Sequence, residues 1–239
     1  MPLRSCSRRA PGGLTHRAAI VLRWPLGLAR VSWRYMWRTT PMHRTEAVVD
    51  ASEQPWTVPD ELVDDDLQRI EDGVGPLVHR RYAVLIADAS PPPEQVIGRF
   101  AGDPNCGAPA EVALFEKVRG AEGEMRVGDE FLIRMPGPWD GPVRVIGLGP
   151  ASFRLATLRG HLEAGQIEFR CRTEDGGLLF EIESWARSGD RLSNVLYTRV
   201  GLAKEIQLNL WVETCLRLAR DVGGRPRGGV QIETHRVRA

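Results

Sequence analysis

Clustered cysteines are missing from this sequence, and so are the usual marks of a metalloprotein, a secreted protein or a membrane protein. The 239 residues contain four cysteines, which are widely separated and form no CxxC pair. Zinc sites need thiolates and imidazoles close together, so we predict no metal site. No apolar run is long enough to cross a bilayer, and no secretory signal is recognisable. These features together predict a cytoplasmic protein.

A strong excess of charge of one sign is also lacking. The formal net charge is +1, and the apolar fraction of 42% is typical of soluble globular proteins. Nucleic-acid binders are usually clearly basic, so we predict no nucleic-acid partner. The glycines at Gly147 and Gly149 match no complete phosphate-binding loop and precede a predicted strand rather than a helix. We therefore predict no cofactor.

The charges that are present are distributed unevenly over the front of the chain. Residues 1–45 contain nine arginines and no acid, whereas residues 46–75 contain ten acids and one arginine. We interpret residues 1–45 as a basic, partly disordered extension with a Trp-rich amphipathic helix, and residues 46–72 as an acidic linker. The amphipathic part, residues 17–38, is expected to pack on the folded domain. The alternatives are that it lies on an anionic membrane surface or that translation starts later, at an internal methionine.

The region 73–224 is regular and predicts one α+β domain, followed by a tail at residues 225–239. The expected order is a strand, a short helix, six antiparallel strands and a long final helix at 192–222. The strands are expected at Arg80–Ala87, Val112–Val118, Glu130–Met135, Val143–Leu148, Phe153–Leu158, Gln166–Thr173 and Leu178–Trp185, and the short helix at Glu94–Phe100. This order is that of the helix-grip fold, in which a curved antiparallel sheet of about seven strands wraps a long C-terminal helix.

The last two predicted strands form a hairpin around Asp175 and Gly176. Apolar and charged residues alternate along both strands, so one face is predicted to be apolar and the other charged and wet. In this register Arg170 lies opposite Glu181.

The long helix carries apolar residues around much of its circumference, so it needs more cover than one face of a sheet provides. The second arc consists of Leu208, Val212, Cys215 and Ala219. We predict that residues 24–37 dock there. A second subunit of a homodimer is the alternative.

Residues 157–169 read TLRGHLEAGQIEF. This segment resembles the signature T-L-P-G-H-P-E-x-G-E-E-x-F of the domain-of-unknown-function family nineteen-ninety of bacteria and plants. Gly73-Val-Gly75, the strand Leu179–Arg187 and Gln207 are similar to further motifs of that family. The resemblance implies a bacterial protein with a START-like, Bet v 1-like (SRPBCC-like) helix-grip fold. The paired glutamates of the signature are Gln166 and Ile167 here, so any chemistry that depends on them is not expected.

A cavity between the sheet and the final helix predicts the binding of an apolar or lipid-like small molecule. Trp139, on a proline-rich loop, is interpreted as a lid over the cavity or as a plug at the end of the sheet. Arg134 and Arg144 either form a cationic patch or pair with acids on a solvated face. The candidate ligand-binding residues are Arg134, Trp139, Arg144, Thr157, His161 and Gln207.

Two other functions remain open. His161 and Glu163 are candidate catalytic residues, because a histidine beside a glutamate can act as a general base in a hydrolase, cyclase or isomerase. Both side chains can instead cap main-chain groups in a tight turn. The third hypothesis is a peripheral membrane or scaffolding protein that acts through residues 17–38.

Overall fold

The computed structural model describes residues 42–49, 55–108, 113–135, 140–190 and 202–237. Within these ranges the chain is an α+β structure with one large, mostly antiparallel open sheet, which confirms the predicted class. The strand order is β1-β9-β2-β8-β7-β6-β5-β4-β3. The strands are β1 (Met42–Val49), β2 (Val74–Ala87), β3 (Leu114–Arg119), β4 (Glu130–Arg134), β5 (Asp140–Gly149), β6 (Ser152–Thr157), β7 (Glu163–Glu174), β8 (Gly177–Ser188) and β9 (Arg225–Val237). The helices are α1 (Pro93–Gly102), α2 (Pro104–Gly107) and α3 (Leu202–Asp221), and Asp60–Leu62 and Ile70–Asp72 form single 3₁₀ turns.

The prediction of about seven strands was wrong, because the supposed tail at 225–239 contains strand β9. This strand lies between β1 and β2 and pairs with β2 in antiparallel register. Its residues Gly228 and Gly229 have positive φ angles of 73° and 80°, and the register with β2 shifts beside them. A glycine pair at such a bulge breaks the alternation of apolar and polar residues that marks a strand in a sequence.

Strand β1 runs across the boundary predicted between residues 45 and 46 and pairs with β9 in parallel, with Met42 opposite Val230. Residues 55–72 are not a linker but cover part of the outer face of the sheet, and we call them the covering segment. Leu67 of this segment is buried against Ile146, Ala156 and Leu158.

Helix α3 packs on the opposite, inner face of the sheet against β2, β8 and β9. Leu208, Val212, Cys215 and Ala219, for which a second cover was predicted, are all buried in the main core. Strand β9, which the sequence pattern did not reveal, provides part of their contact surface. The final helix was wrongly predicted to be the last element, since β9 follows α3. Helix α3 has 20 residues in the described part of the chain, and residues 192–201 of the predicted helix lie outside that part. The docking segment 24–37 lies outside the described residues and stays a prediction.

No helix in the described ranges is long and apolar enough to cross a bilayer.

The inner face of the sheet is filled by packed aromatic rings. Phe153 and Phe169 stack with ring centroids 4.7 Å apart, and the edge of Phe100 meets both rings. Phe180 is fully buried beside them. The rings of Phe100, Phe153, Phe169 and Phe180 therefore form one apolar cluster on the inner face.

The hairpin β7–β8 has the predicted register, with Arg170 opposite Glu181. Its turn residues Asp175 and Gly176 both have positive φ angles, 48° and 73°, as a type I′ turn requires. The predicted wet face was wrong at Glu181, which is 0% exposed. Arg81, Arg170 and Arg172 all donate to its carboxylate. A dense network of ion pairs therefore covers a position that the alternation pattern assigns to solvent.

Candidate functional site

A polar cluster interrupts the apolar inner face of the sheet at one end. Arg80 of β2, Glu163 of β7 and Gln207 of α3 form this cluster. The Nη1 atom of Arg80 donates to Gln207 Oε1 at 2.7 Å and lies 3.4 Å from Glu163 Oε1. The amide of Gln207 donates to Glu163 Oε2 at 2.8 Å. The three side chains thus join two strands and the helix through one continuous set of hydrogen bonds.

Strand and helix periodicity place these side chains in the interior. On β2, Arg80 shares the inner face with Tyr82, Val84 and Ile86, because alternate residues of a strand point to the same side. Gln207 lies one helical turn before Trp211 on α3, so the two share a helix face. Trp211 is buried and meets Phe169 edge to face at 5.5 Å between centroids. The cluster therefore borders the aromatic core.

Further buried polar groups surround Arg80. Ser184 of β8 and Thr234 of β9 are its cross-strand partners, and both are buried. The charges of Arg80 and Glu163 also affect the pKa of the Tyr82 hydroxyl. Burial raises the pKa of Tyr82, while the charge of Arg80 lowers it and that of Glu163 raises it further. Tyr82 is consequently a neutral phenol that can donate or accept a hydrogen bond.

His161 holds the turn that precedes β7. Its Nδ1 atom lies 2.9 Å from the main-chain nitrogen and 3.0 Å from the main-chain oxygen of Glu163, and the tautomer of the ring decides which of the two contacts is the hydrogen bond. Burial lowers the pKa of His161, and the neighbouring Glu163 charge opposes this in part. The imidazole therefore contacts the main chain of Glu163, while the Glu163 carboxylate is bonded to Gln207 and faces Arg80. This is the capping arrangement rather than a hydrogen-bonded catalytic pair.

Thr157 and Gln68 support the same turn from the other side. The hydroxyl of Thr157 accepts from Gly165 N at 2.9 Å and lies 3.0 Å from the carbonyl oxygen of Gln68. The amide of Gln68 donates to the carbonyl oxygens of His161 and Glu163 at 3.1 and 3.2 Å. Thr157 thus positions the strand that carries Glu163.

Arg134 and Arg144 lie on the outer face of the sheet and do not reach the polar cluster. Arg144 is 3% exposed and pairs with Glu130 at 2.7 Å and with Asp64 of the covering segment at 2.8 Å. Arg134 pairs with Glu116 at 3.1 Å and also with Asp140. The structure therefore separates these arginines from an interior ligand and pairs them with acids. Trp139 lies outside the described residues.

Residues 110–212 match the sequence model of the domain of unknown function DUF1990. The match covers 103 of the 239 residues. This confirms the resemblance that the signature at 157–169 indicated. The matched range contains Thr157, His161, Glu163 and Gln207, whereas Arg80 precedes it. A comparison with curated proteins gives no match.

Several solved structures have a weak overall likeness to this chain. Ara h 8.0201 is 11% identical, with 61% of this chain and 97% of that chain covered and a TM-score of 0.41. The KanY protein (ms6282) is 13% identical, with coverages of 63% and 100% and a TM-score of 0.44. Major latex-like protein 151 from Panax ginseng is 14% identical, with coverages of 62% and 96% and a TM-score of 0.41. Likenesses of this size carry no information about a ligand.

Two residues of the site were missed by sequence reasoning. Gln68 was assigned to a linker, and nothing in its neighbourhood signals its contacts. Arg80 did carry a signal, since it falls on the apolar side of the alternating segment Arg80–Ala87. A charged residue at a strand position that alternation places in the core is a candidate site residue, because burial of an unpaired charge is costly. No group of potential metal ligands occurs in the described part of the chain.

Proposed function

We propose that the protein binds a small molecule with an apolar body and one oxygen-bearing polar group, in the interior between the sheet and α3. The observation that carries this proposal is the cluster of buried Arg80 with partly buried Glu163 and Gln207 at the border of the aromatic core. The polar group binds at this cluster, and the apolar body lies toward Trp211 and Phe169.

The cost of burying the cluster favours a functional reason for its presence. Arg80 is 6% exposed, and the Glu163 side chain is 14% exposed. Desolvating a charged group costs several kcal/mol, and well-packed apolar residues of similar volume often stabilise a protein as well or better. A charged cluster inside a core is therefore poorly explained by stability alone.

The hydrogen-bonding capacity of the interior favours a ligand with acceptor atoms. Tyr82 contributes a hydroxyl to this interior, and a hydroxyl can donate or accept a hydrogen bond. The indole Nε1 of Trp211, one helical turn after Gln207, is buried and has no acceptor among the described residues. An unpaired buried donor costs about 1–3 kcal/mol, so an oxygen that reaches it would gain a comparable amount. A carboxylate, ketone or phenol fits these donors.

The proposal is tested by native mass spectrometry of protein purified from its own host. We expect a bound species that is released on denaturation and contains an apolar part and an oxygen acceptor. Gln207→Leu retains the side-chain volume but removes the amide, and a hydrogen bond to a charged group contributes about 1.5–3 kcal/mol. We therefore expect occupancy to fall by about tenfold or more in this variant.

Gln231→Leu is the matched control, because Gln231 is an exposed glutamine on the outer face of β9. Its occupancy should equal that of the wild type. Displacement of the dye ANS by the extracted species gives an independent measurement. A protein that is empty in every preparation, or a Gln207→Leu variant that retains full occupancy, would overturn the proposal.

A further inference from the structure

In the described part of the chain the sheet ends at β1 on one side and at β3 on the other, and the two edges differ in their protection. On the outer edge of β3, the main-chain N–H of Phe115 donates to Asn105 Oδ1 at 2.7 Å, and its carbonyl oxygen accepts from Asn105 Nδ2 at 2.9 Å. The register between β3 and β4 also shifts between Lys117 and Arg119. Bulges, lysines and covering groups prevent an edge strand from pairing with another chain. Strand β3 is therefore a protected edge.

Strand β1 has none of these features. Its sequence, MHRTEAVV, contains no proline, glycine or lysine, and its eight residues pair with β9 without a register shift. Residues 43–48 are all exposed, so neither face of the strand is covered along most of its length, and Val48 is 58% exposed. Among the described residues, no strand pairs with its outer edge. A long and regular edge of this kind can accept a strand from another chain.

The sequence of β1 is complementary to a second copy of itself in antiparallel register. With Thr45 of the two copies face to face, Arg44 lies opposite Glu46 of the second copy, and Met42 lies opposite Val48 of the second copy. A two-fold axis produces each pair twice, and alternation places all of them on one face. Opposite charges directly across an antiparallel pair stabilise it, and like charges destabilise it.

The same charges disfavour the neighbouring registers. Centring the pair on Arg44 or on Glu46 would place two like charges directly opposite each other. A register shifted by half a step, between Thr45 and Glu46, would remove the contact between opposite charges. The charges therefore select the register that is centred on Thr45.

We propose that β1 pairs with β1 of a second copy of this chain, in antiparallel register about Thr45, and joins the two sheets into one. The interface is small, so the homodimer forms at high protein concentration and dissociates on dilution. It differs from the homodimer considered for the apolar arc of α3, whose residues are buried within the chain. The interface does not depend on the proposed interior ligand.

Light scattering of the full chain over a concentration series measures the association. We expect the mass to rise from that of a monomer to that of a dimer, and added salt to weaken the association. Hydrogen exchange locates the interface, because main-chain amides of residues 42–48 should become more protected as the protein concentration rises.

Charge reversal tests the register. Arg44→Glu places two acids opposite each other, and Glu46→Arg places two bases opposite each other. Each variant should weaken association by about tenfold or more, since two pairs change sign in every dimer. The double variant Arg44→Glu, Glu46→Arg should associate like the wild type. A mixture of the two single variants should form a mixed dimer, because an acid then faces a base in both pairs.

Glu122→Arg and Arg126→Glu are the matched controls, because they make the same charge changes at exposed positions between β3 and β4. Both should associate like the wild type. A chain that is monomeric at every concentration would overturn the proposal, and so would association that both single reversals leave unchanged.

The mixture and the exchange experiment provide two further ways to contradict the interface. Single variants that stay monomeric when mixed would show that the charges do not meet across a two-fold axis. If a single variant does not fold, the wild-type exchange decides. Protection of residues 42–48 that is independent of concentration would mean that another part of the same chain covers the edge, and would overturn the proposal. A failure of the interior proposal appears instead as an empty protein in native mass spectrometry.

Discussion

Glu163, which is partly buried, and Glu181, which is fully buried, lie on opposite faces of the same sheet, and their surroundings differ in kind. On the outer face, Glu181 accepts hydrogen bonds from the guanidinium groups of Arg81, Arg170 and Arg172. On the inner face, Glu163 accepts from the neutral amide of Gln207 at 2.8 Å and faces Arg80 at 3.4 Å. A ligand can replace the hydrogen bonds of one bridging amide more easily than it can replace three guanidinium groups that are bound to one carboxylate. The comparison therefore identifies the inner cluster as the candidate site.

The pKa shifts on the outer face agree with a structural role. Burial raises the pKa of Glu181, but hydrogen bonds from Arg170 and Arg81 more than offset this and bring it below its usual value. Glu183 beside it behaves in the same way, with burial opposed by a hydrogen bond from His79 and by the charge of Arg170. Both outer glutamates thus remain ionised and paired throughout the neutral range.

The largest effect is expected where the apolar inner face is truncated. Phe180 and Glu181 are adjacent on β8 and are both 0% exposed, but they point to opposite faces. Phe180→Ala should lower the free energy of unfolding by about 3–5 kcal/mol, because it leaves a cavity among the aromatic rings. Urea unfolding provides the measurement, and Val118→Ala, at a position 56% exposed, should change it by no more than about 0.5 kcal/mol. A small effect of Phe180→Ala would mean that the inner face is not close-packed.

Neutralising the outer glutamate should have the next largest effect. Glu181→Gln keeps the shape of the side chain but leaves three arginines without their shared partner. Losing one partner of a buried ion pair costs about 3–5 kcal/mol. Because these arginine side chains are 33%, 29% and 45% exposed, we expect about 2–3 kcal/mol.

Glu174→Gln is the control for this change, since Glu174 pairs with the same Arg172 but is 40% exposed. It should cost at most about 1 kcal/mol in the same unfolding experiment. Equal costs for the two variants would remove the distinction between a buried structural carboxylate and an ordinary surface pair.

The smallest effect concerns the contact between the covering segment and the sheet. A hydrogen bond from Arg144 holds the pKa of Asp64 below its ordinary value of 3.8, although burial opposes this. The stabilisation is therefore complete above about pH 4 and is lost as the pH falls through the lowered folded-state pKa. Because Asp64 is 47% exposed, Asp64→Asn should cost no more than about 1 kcal/mol at neutral pH.

Urea unfolding near neutral pH and in acid checks this prediction. The difference between the wild type and Asp64→Asn should shrink as the solution becomes more acidic. Asp65→Asn is the matched control at a neighbouring exposed aspartate and should show no such dependence. A difference that grew in acid would contradict the assigned pairing.

Much of the fold between residues 74 and 190 was predictable, because its strands are neighbours along the chain. Strands β4 to β8 each pair with the next one, so alternation of side chains and local turns determine the register. The candidate site was predictable only in part. Thr157, Glu163 and Gln207 were recognised through the family signature, but the burial of Arg144 depends on its pairing with Asp64, 80 residues earlier. Spacing within one segment contains no such information.

The sequence by itself determined the hairpin β7–β8, since the period-two alternation and the Asp175-Gly176 turn permit one register. It also determined the α+β class, but it left the role of His161 open between a capping turn and a catalytic pair. Tertiary structure alone decided the position of β9, the burial of Glu181 and the meeting of Arg80 with Gln207. Each of these joins residues about 100 or more positions apart, and the closing of such long loops is driven by the burial of the whole sheet rather than by local preference.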